Sequence, residues 1–147
     1  MLSVTFERHA FRVADARDSA LQFLAGSQNG RESRLPARVV EATQLVVSEL
    51  VTNAIKYGSG PIELSLVLAE DTLSVTVRDG ETTLPRHRSA DPRRVGQHGL
   101  EIVAALSQDV DVQREPTGKR ITARISLDES VRAGCQVAQP GERPTPR

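Results

Sequence analysis

The segment Ser48-Glu49-Leu50-Val51-Thr52-Asn53-Ala54-Ile55-Lys56-Tyr57-Gly58 carries two different surfaces when it is wound into a helix. At about 100° per residue, a narrow sector is polar and the broad opposite sector is apolar. The polar sector holds Glu49, Thr52, Asn53 and Lys56. An apolar face as wide as the opposite one is typical of a helix that packs on a sheet. The segment therefore predicts a helix lying on a sheet, with one polar stripe.

This polar stripe has two interpretations. Most polar helix faces are simply solvated. An Asn oxygen can also ligate Mg²⁺, a Lys can meet phosphate, and a Glu can accept a proton, so the three side chains together suit a metal–phosphate ligand. Spacing alone leaves both interpretations open, because such surfaces are common.

Composition bounds the class of protein. The chain has 147 residues, enough for one domain with a real core. Its 19 basic and 19 acidic residues balance, so bulk attraction to nucleic acid or to an anionic membrane is not indicated. Aromatic residues make up 3% and there is no Trp, which argues against a base-stacking surface for single-stranded nucleic acid.

The sequence also bears on the compartment. No apolar run approaches the length of a membrane span. Glu7, Arg8 and His9 stand where a signal peptide would need an apolar core. Cys135 has no second cysteine to pair with. We therefore expect a reduced, cytoplasmic protein.

Elements on the N-terminal side of the polar stripe follow from periodicity. Residues 4–13 alternate loosely and predict an opening strand, and residues 14–25 show helical spacing. Pro36 suits the first turn of the long helix, which runs to about Tyr57 and closes on Gly58.

Two hairpins follow on the C-terminal side. Residues 62–68 and 73–78 alternate around a short polar turn, and the second run ends on Asp79-Gly80. The second hairpin joins residues 110–113 to residues 120–127. Both patterns predict antiparallel pairing.

A long loop and a short helix separate the hairpins. Residues 81–99 have no periodicity and are rich in Arg, so this basic loop is either solvated or closes over phosphates. Residues 100–107 predict an apolar helix. Because its first turn follows Gly99, its free N–H groups would form an anion site. From residue 128 the periodicity ends and three prolines follow, which predicts a disordered tail over 128–147 and a single domain over 1–127.

Three segments now stand in order: the polar stripe, a strand ending in Asp79-Gly80, and a Gly-bearing loop that opens a helix at Gly96 to Leu100. This order resembles the GHKL ATPase superfamily, which contains the gyrase, heat-shock chaperone, histidine kinase and mismatch-repair ATPases. Within it the chain resembles the small anti-sigma factor serine/threonine kinases and their actinobacterial relatives. The resemblance covers about residues 4–127.

The resemblance implies roles for the stripe. Glu49 matches the carboxylate that positions or deprotonates the attacking hydroxyl, as the catalytic residue. Asn53 matches the asparagine that ligates Mg²⁺. Lys56 matches a position next to the phosphates of ATP.

It also implies a base pocket and a phosphate loop. Asp79, followed by Gly80, matches the aspartate that accepts a hydrogen bond from the adenine amino group. A carboxylate only accepts, so it can distinguish adenine from guanine, which offers an oxygen there. The glycine segment that approaches phosphate is matched by Gly96, Gly99 and Leu100, with His98 between the glycines as a spacer or a phosphate donor.

The chain departs from the superfamily pattern at three places. Glu81 stands where a glycine is usual and would narrow the base pocket. The segment Gly96-Gln97-His98-Gly99 is one residue wider than the usual Gly-x-Gly. Arg120 stands where a nucleotide-contacting threonine is frequent, with Thr122 two residues further on.

By this resemblance the fold is α+β: a two-layer α/β sandwich with a mixed, mainly antiparallel sheet and helices on one face. The implied function is an ATP- and Mg²⁺-dependent serine/threonine kinase that binds a sigma factor and phosphorylates a small antagonist protein. Direct contact with nucleic acid or membrane is not expected, and a homodimer is compatible with the resemblance. Two alternatives stay open: an ATP-responsive binding module without transfer activity, and a stand-alone catalytic partner of a separate sensor protein.

Overall fold

The computed structural model describes residues 1–27, 35–81, 97–128 and 137–138, with backbone alone for 97, 98, 137 and 138. Its helices and strands follow one another in an order expected for an α+β domain. Their bounds are β1 (Leu2–Phe6), α1 (Val13–Ser27), α2 (Ala37–Tyr57), β2 (Ile62–Leu68), β3 (Thr72–Asp79), α3 (Gln97–Leu106), β4 (Asp109–Glu115), β5 (Gly118–Ser126) and β6 (Val137–Ala138).

One sheet organises the domain. Its strand order is β1-β2-β3-β5-β4-β6. The first four pairings are antiparallel, whereas β6 runs parallel to β4. The predicted mixed, mainly antiparallel sheet is therefore confirmed. Strand β5 enters the sheet between β3 and β4, so the end of β3 lies beside the start of β5.

The core lies between the helices and one face of the sheet. Along β3 and β5 every second residue points into it, as a half-buried strand requires. The resulting cross-strand pairs are Leu73↔Ile125, Val75↔Ala123 and Val77↔Ile121, and all six side chains are buried. From the other layer, α2 contributes a broad buried face that includes Val46, Val47, Leu50, Val51 and Ala54. The predicted apolar sector of α2 is thus its packing face, except for Ile55, which is half-buried.

The opposite face of the sheet is polar. Arg78 donates to Glu63 at 2.8 Å and to Glu115 at 3.1 Å, bridging three strands. The hydrogen bond to Glu63, with a smaller contribution from Glu115, raises the pKa of Arg78 above its ordinary value. Thr76 and Thr122 meet through their hydroxyl oxygens at 3.0 Å on the same face. This face therefore satisfies its polar groups across strands rather than burying them in the core.

The ends of two predicted elements were wrong. The opening strand ends at Phe6 rather than at residue 13. Its chain reverses in a turn closed by the Ala10 N–H donating to the Glu7 carbonyl at 3.0 Å. Phe11 then stacks on Phe6 with ring centroids 4.5 Å apart. Because this stacking shields both half-buried rings, it favours the reversal over a longer strand.

The third helix also differs from the prediction. It begins at Gln97, three residues before the predicted start at Leu100, and ends at Leu106. Gly99 therefore lies inside the first turn and not before it. The backbone N–H groups at the start of the helix, which have no partner within it, therefore come before Leu100.

The predicted disordered tail contains one described strand. Val137 pairs with Val110 and Ala138 with Asp111, in parallel with β4. At these two positions the tail is ordered against the sheet. The remaining residues after 128 lie outside the described residues, and their disorder stays a prediction.

Candidate functional site

The side chains of the predicted polar stripe on α2 differ in their exposure to solvent. Lys56 is exposed, Glu49 is half-buried, and Asn53 is buried at 5% exposure. Within the described part of the chain, the Asn53 Nδ2 atom has no hydrogen-bond partner. A buried amide without a partner costs free energy, which a plain solvated face would avoid. The stripe is therefore more than a solvated face, since its central residue is withdrawn from water and incompletely bonded.

Asp79 ends β3 on the core side of the sheet. Asp79 lies on the same face of the strand as Val75 and Val77, and its side chain is 1% exposed. One carboxylate oxygen, Oδ1, accepts a hydrogen bond from the Glu81 N–H at 2.7 Å. This bond uses the backbone of Glu81, so the residue that replaces the usual glycine supports the carboxylate through its main chain.

A residue that the sequence reasoning missed completes this end of the site. Lys119 lies opposite Asp79 in the β3–β5 register. Its ammonium is 3.4 Å from the Asp79 Oδ2 atom, and its side chain is 2% exposed. The sequence did contain a signal for this residue. Lys119, Ile121 and Ala123 are two residues apart and share one face of the strand, so the alternating pattern places a charged residue among core positions. A lysine on that face requires a buried partner.

The loop after α2 lies directly against Asp79. A Cβ atom on Gly58 would lie 2.6 Å from the Asp79 Cγ atom, so only a glycine allows the helix end to approach this closely. The Gly80 N–H donates to the Ser59 carbonyl at 2.7 Å. Helix α2 and strand β3 are thereby joined at the point where their functional residues meet.

The first turn of α3 lies against Glu49. A Cβ atom on Gly99 would lie 2.7 Å from the Glu49 Oε2 atom. The predicted phosphate-loop glycine therefore contacts the predicted catalytic carboxylate, although the two are far apart in sequence. Leu100 is half-buried and packs on the core.

Other predicted positions fall outside this cluster. Gly96 and the side chain of His98 lie outside the described residues. Gly80 is exposed, beside the carboxylate. Thr122 contacts Thr76 on the polar face, so it does not join Asp79. Arg120 follows Lys119 along β5, and successive strand residues point to opposite faces.

Arg8 fixes the C-terminal end of α2. Its Nη1 atom donates to the carbonyls of Ala54 at 2.6 Å and Ile55 at 2.8 Å, and its Nε atom donates to that of Gly60 at 3.1 Å. A cation is favoured there because the last carbonyls of a helix carry partial negative charge. Arg8 therefore holds the loop that packs on Asp79.

An open groove of about 410 Å³ lies beside this loop. It is lined by Glu7–Ala10 and by Gly60 and Pro61. None of the residues in the α2 stripe lines it, so it is separate from the cluster around Asp79 and Glu49.

Comparisons with known proteins identify the family and the fold. A family model described as "Histidine kinase-like ATPase domain" matches residues 10–125. The chain belongs to this family. Among the described elements, the match covers α1 to α3, β2 to β4 and β5 up to its penultimate residue, and leaves out β1 and β6.

The fold is also similar to a solved structure, the histidine kinase domain of a blue-light activated histidine kinase from Erythrobacter litoralis EL346. The superposition has a TM-score of 0.53 at 19% sequence identity and covers 80% of this chain. The match spans 62% of that structure's chain. At this identity, the similarity supports the histidine kinase-like fold. No curated protein sequence was found to match the chain.

Membership of this ATPase family implies that the domain binds ATP. The described residues fit that ligand. Asp79 offers a fixed acceptor, and Gly99 lets the first turn of α3 approach the Glu49 carboxylate, where a side chain would clash. Asn53 adds a buried carboxamide that a ligand can complete.

A metal ion at this site would be bound mainly through the nucleotide. Across residues 1–27, 35–81, 97–128 and 137–138, three or more His, Cys, Asp or Glu side chains nowhere gather into a metal-binding group. The residue predicted to contribute an oxygen to Mg²⁺ is Asn53, whose side chain is buried; phosphate oxygens and water would be the other ligands. In the same described ranges, no helix has both the length and the apolar character needed to cross a bilayer.

Proposed function

We propose that this protein is a cytoplasmic ATP-dependent kinase that transfers a phosphoryl group to a serine or threonine of a small antagonist protein. In this proposal it also binds a sigma factor, as the anti-sigma factor kinases that its sequence resembles do. The ATPase family accounts for the nucleotide. The identity of the acceptor is the step that the proposal adds.

One observation carries this proposal: the position of Glu49. Its carboxylate is half-buried on α2, one turn from Asn53, and lies against Gly99 in the first turn of α3. Binding a nucleotide does not require a carboxylate beside the phosphate loop, where its negative charge would repel phosphate. Accepting a proton from an attacking hydroxyl requires a base at this position, and a carboxylate can serve as that base.

The chemistry assigns a role to each residue. The acceptor hydroxyl oxygen bonds to the γ-phosphorus, the bond from that phosphorus to the bridging oxygen breaks, and ADP leaves. Glu49 takes the hydroxyl proton. Lys56 is exposed at the end of the stripe, where its ammonium can meet a phosphate oxygen. Mg²⁺, when bound, would supply charge neutralisation at the phosphates.

Two substitutions on α2 test the proposal. Asn53→Ala should abolish Mg²⁺-dependent ATP binding in calorimetry, because it removes the proposed protein ligand of the metal. Glu49→Gln should leave ATP binding largely intact. It should slow single-turnover transfer by about 10²–10⁴-fold, the usual contribution of a general base. Transfer is detected as added phosphate on antagonist proteins from the same cells by mass spectrometry.

A thermal melt of each variant separates loss of function from loss of fold. The kinase proposal requires the two variants to fail at different steps. If the wild-type protein binds ATP but phosphorylates no antagonist, or if Glu49→Gln transfers phosphate at the wild-type rate, the kinase proposal is wrong. The first result would leave the two alternatives, an ATP-responsive binding module and a stand-alone catalytic partner of a separate sensor protein.

A further inference from the structure

We propose that Lys119 is a positioning residue for base recognition. Its buried ammonium holds the Asp79 carboxylate in the orientation that accepts the exocyclic amine of a 6-aminopurine. The inference rests on the ATP binding implied above and adds a residue outside every motif identified in the sequence. It assigns Lys119 no contact with phosphate and no part in phosphoryl transfer.

The argument begins with the β3–β5 ladder. Three consecutive cross-strand pairs on its core face are apolar, and Asp79↔Lys119 extends the same face by one pair. A fourth apolar pair at this position would keep the core dry at lower desolvation cost. Replacing a buried ion pair by packed apolar residues is often neutral or stabilising. Stability alone therefore gives no reason for a charged pair at this end of the ladder.

The turn before β5 places the lysine. Gly118 has φ of +157°, in the region that favours glycine, and a Cβ atom there would collide with the Asp79 carbonyl oxygen. Glycine thus lets the first residue of β5 pass beside the end of β3. As a result, Lys119 and Asp79 are direct cross-strand partners, whose side chains lie on one face.

The two carboxylate oxygens of Asp79 are held by different groups. Oδ1 accepts the Glu81 N–H, while Oδ2 faces the Lys119 ammonium. Gly58 packs on the carboxylate carbon from the side of α2. An ionised carboxylate has about four acceptor positions, and the contacts of the described residues use one on each oxygen while they fix the plane of the group. This geometry preorganises an acceptor for an N–H donor of the base.

Loss of the ammonium should act through Asp79. Lys119→Met keeps an unbranched chain of similar length but leaves a buried carboxylate without its counter-charge. Such a carboxylate moves toward water or takes up a proton. In either case it is a poorer acceptor for the base amine, so the expected defect concerns recognition of that amine rather than of the triphosphate.

The test compares ATP with purine riboside triphosphate, which differs from ATP only by lacking the 6-amino group. Calorimetry gives the ratio of the affinity for ATP to the affinity for purine riboside triphosphate. It is measured for the wild-type protein and for Asp79→Asn, Lys119→Met and the double variant. Arg124→Met is the matched control. Arg124 lies on the same strand and pairs with Asp109 at 2.8 Å, but on the polar face of the sheet.

We expect Lys119→Met to lower the ratio at least fivefold and Arg124→Met to leave it unchanged. In the Asp79→Asn background, Lys119→Met should change the ratio by less than twofold, because the residue that it positions is already altered. If Lys119→Met gives no cooperative melt, Lys119→Gln, which keeps a donor without the charge, provides the same comparison.

The proposal is overturned if either lysine variant weakens both nucleotides equally, since a purely structural role has that effect. It is also overturned if the effects of the two sites simply add. Failure of the proposed ATP binding gives a different result, because the wild-type protein would then bind neither nucleotide. If Asp79→Asn lowers the ratio and Lys119→Met does not, only the role of Lys119 is wrong.

Discussion

Replacing Gly58 by alanine should weaken both the fold and ATP binding. Gly58 follows α2 with φ of −97°, a value open to any residue, so backbone conformation does not explain the glycine. The added Cβ atom would lie 2.5 Å from the Ala54 carbonyl oxygen, 2.6 Å from the Asp79 Cγ atom and 2.7 Å from its Oδ2 atom. The carbonyl belongs to the helix backbone and the carboxylate is buried, so neither neighbour moves freely.

The size of the effect follows from this crowding. Overpacking of a filled site costs about 1–3 kcal/mol. Gly→Ala replacement also lowers the conformational entropy of the unfolded chain, which stabilises the folded protein by roughly 0.4–1 kcal/mol. The net loss is then about 1–2 kcal/mol, or roughly 4–8 °C in Tm for a domain of this length. If the carboxylate is pushed aside, ATP loses one charge-assisted hydrogen bond, worth about 1.5–3 kcal/mol.

Scanning calorimetry and isothermal titration with ATP measure the two effects. The bond energy corresponds to roughly 10- to 150-fold in Kd. Gly26→Ala is the control, since Gly26 lies in α1 and a Cβ atom there meets nothing within 4 Å. In a helix this change should stabilise the protein by about 0.5–1 kcal/mol. A Gly58→Ala protein that melts like wild type and binds ATP equally well would refute the close packing of α2 on Asp79.

Two further predictions concern the edges of the domain. Arg8→Met should destabilise it by about 2 kcal/mol in urea unfolding, because two carbonyls in the last turn of α2 and the Gly60 carbonyl in the following loop lose a charged donor. An unchanged midpoint would mean that water replaces the guanidinium at no cost. Removing all residues after Asp128 should lower Tm by less than about 3 °C, since only two described residues pair with β4. A drop of many degrees would show that more of the tail packs on the domain.

The elements that the sequence predicted well are those with a local periodic signal. The apolar sector of α2 and the alternation in β2, β3 and β5 each place their buried residues without knowledge of the partners. The end of β3 at Asp79 was also visible, because the alternation stops there. Local pattern was sufficient wherever one face of an element is buried along its whole length.

The contacts that position the site could not be predicted in the same way. Arg8 reaches carbonyls of a helix that begins almost thirty residues later, and nothing near Arg8 in sequence indicates that partner. Lys119 and Asp79 meet only because β5 enters the sheet beside β3. The Phe6–Phe11 stacking that ends β1 likewise competes with strand alternation in three dimensions. Such features depend on topology rather than on local propensity.

Strand β5 lies in the middle of the sheet but comes late in the sequence. This affects folding during synthesis and the design of truncated or split versions of the protein. Until β5 docks, β3 presents an open edge in which Leu73, Val75 and Val77 alternate with short polar residues. Unpaired edges of this kind are templates for association with other chains. A fragment that stops before residue 118 should consequently aggregate rather than persist as a smaller soluble domain. Any split version of this protein should be divided in a surface loop that leaves β3 and β5 on one piece.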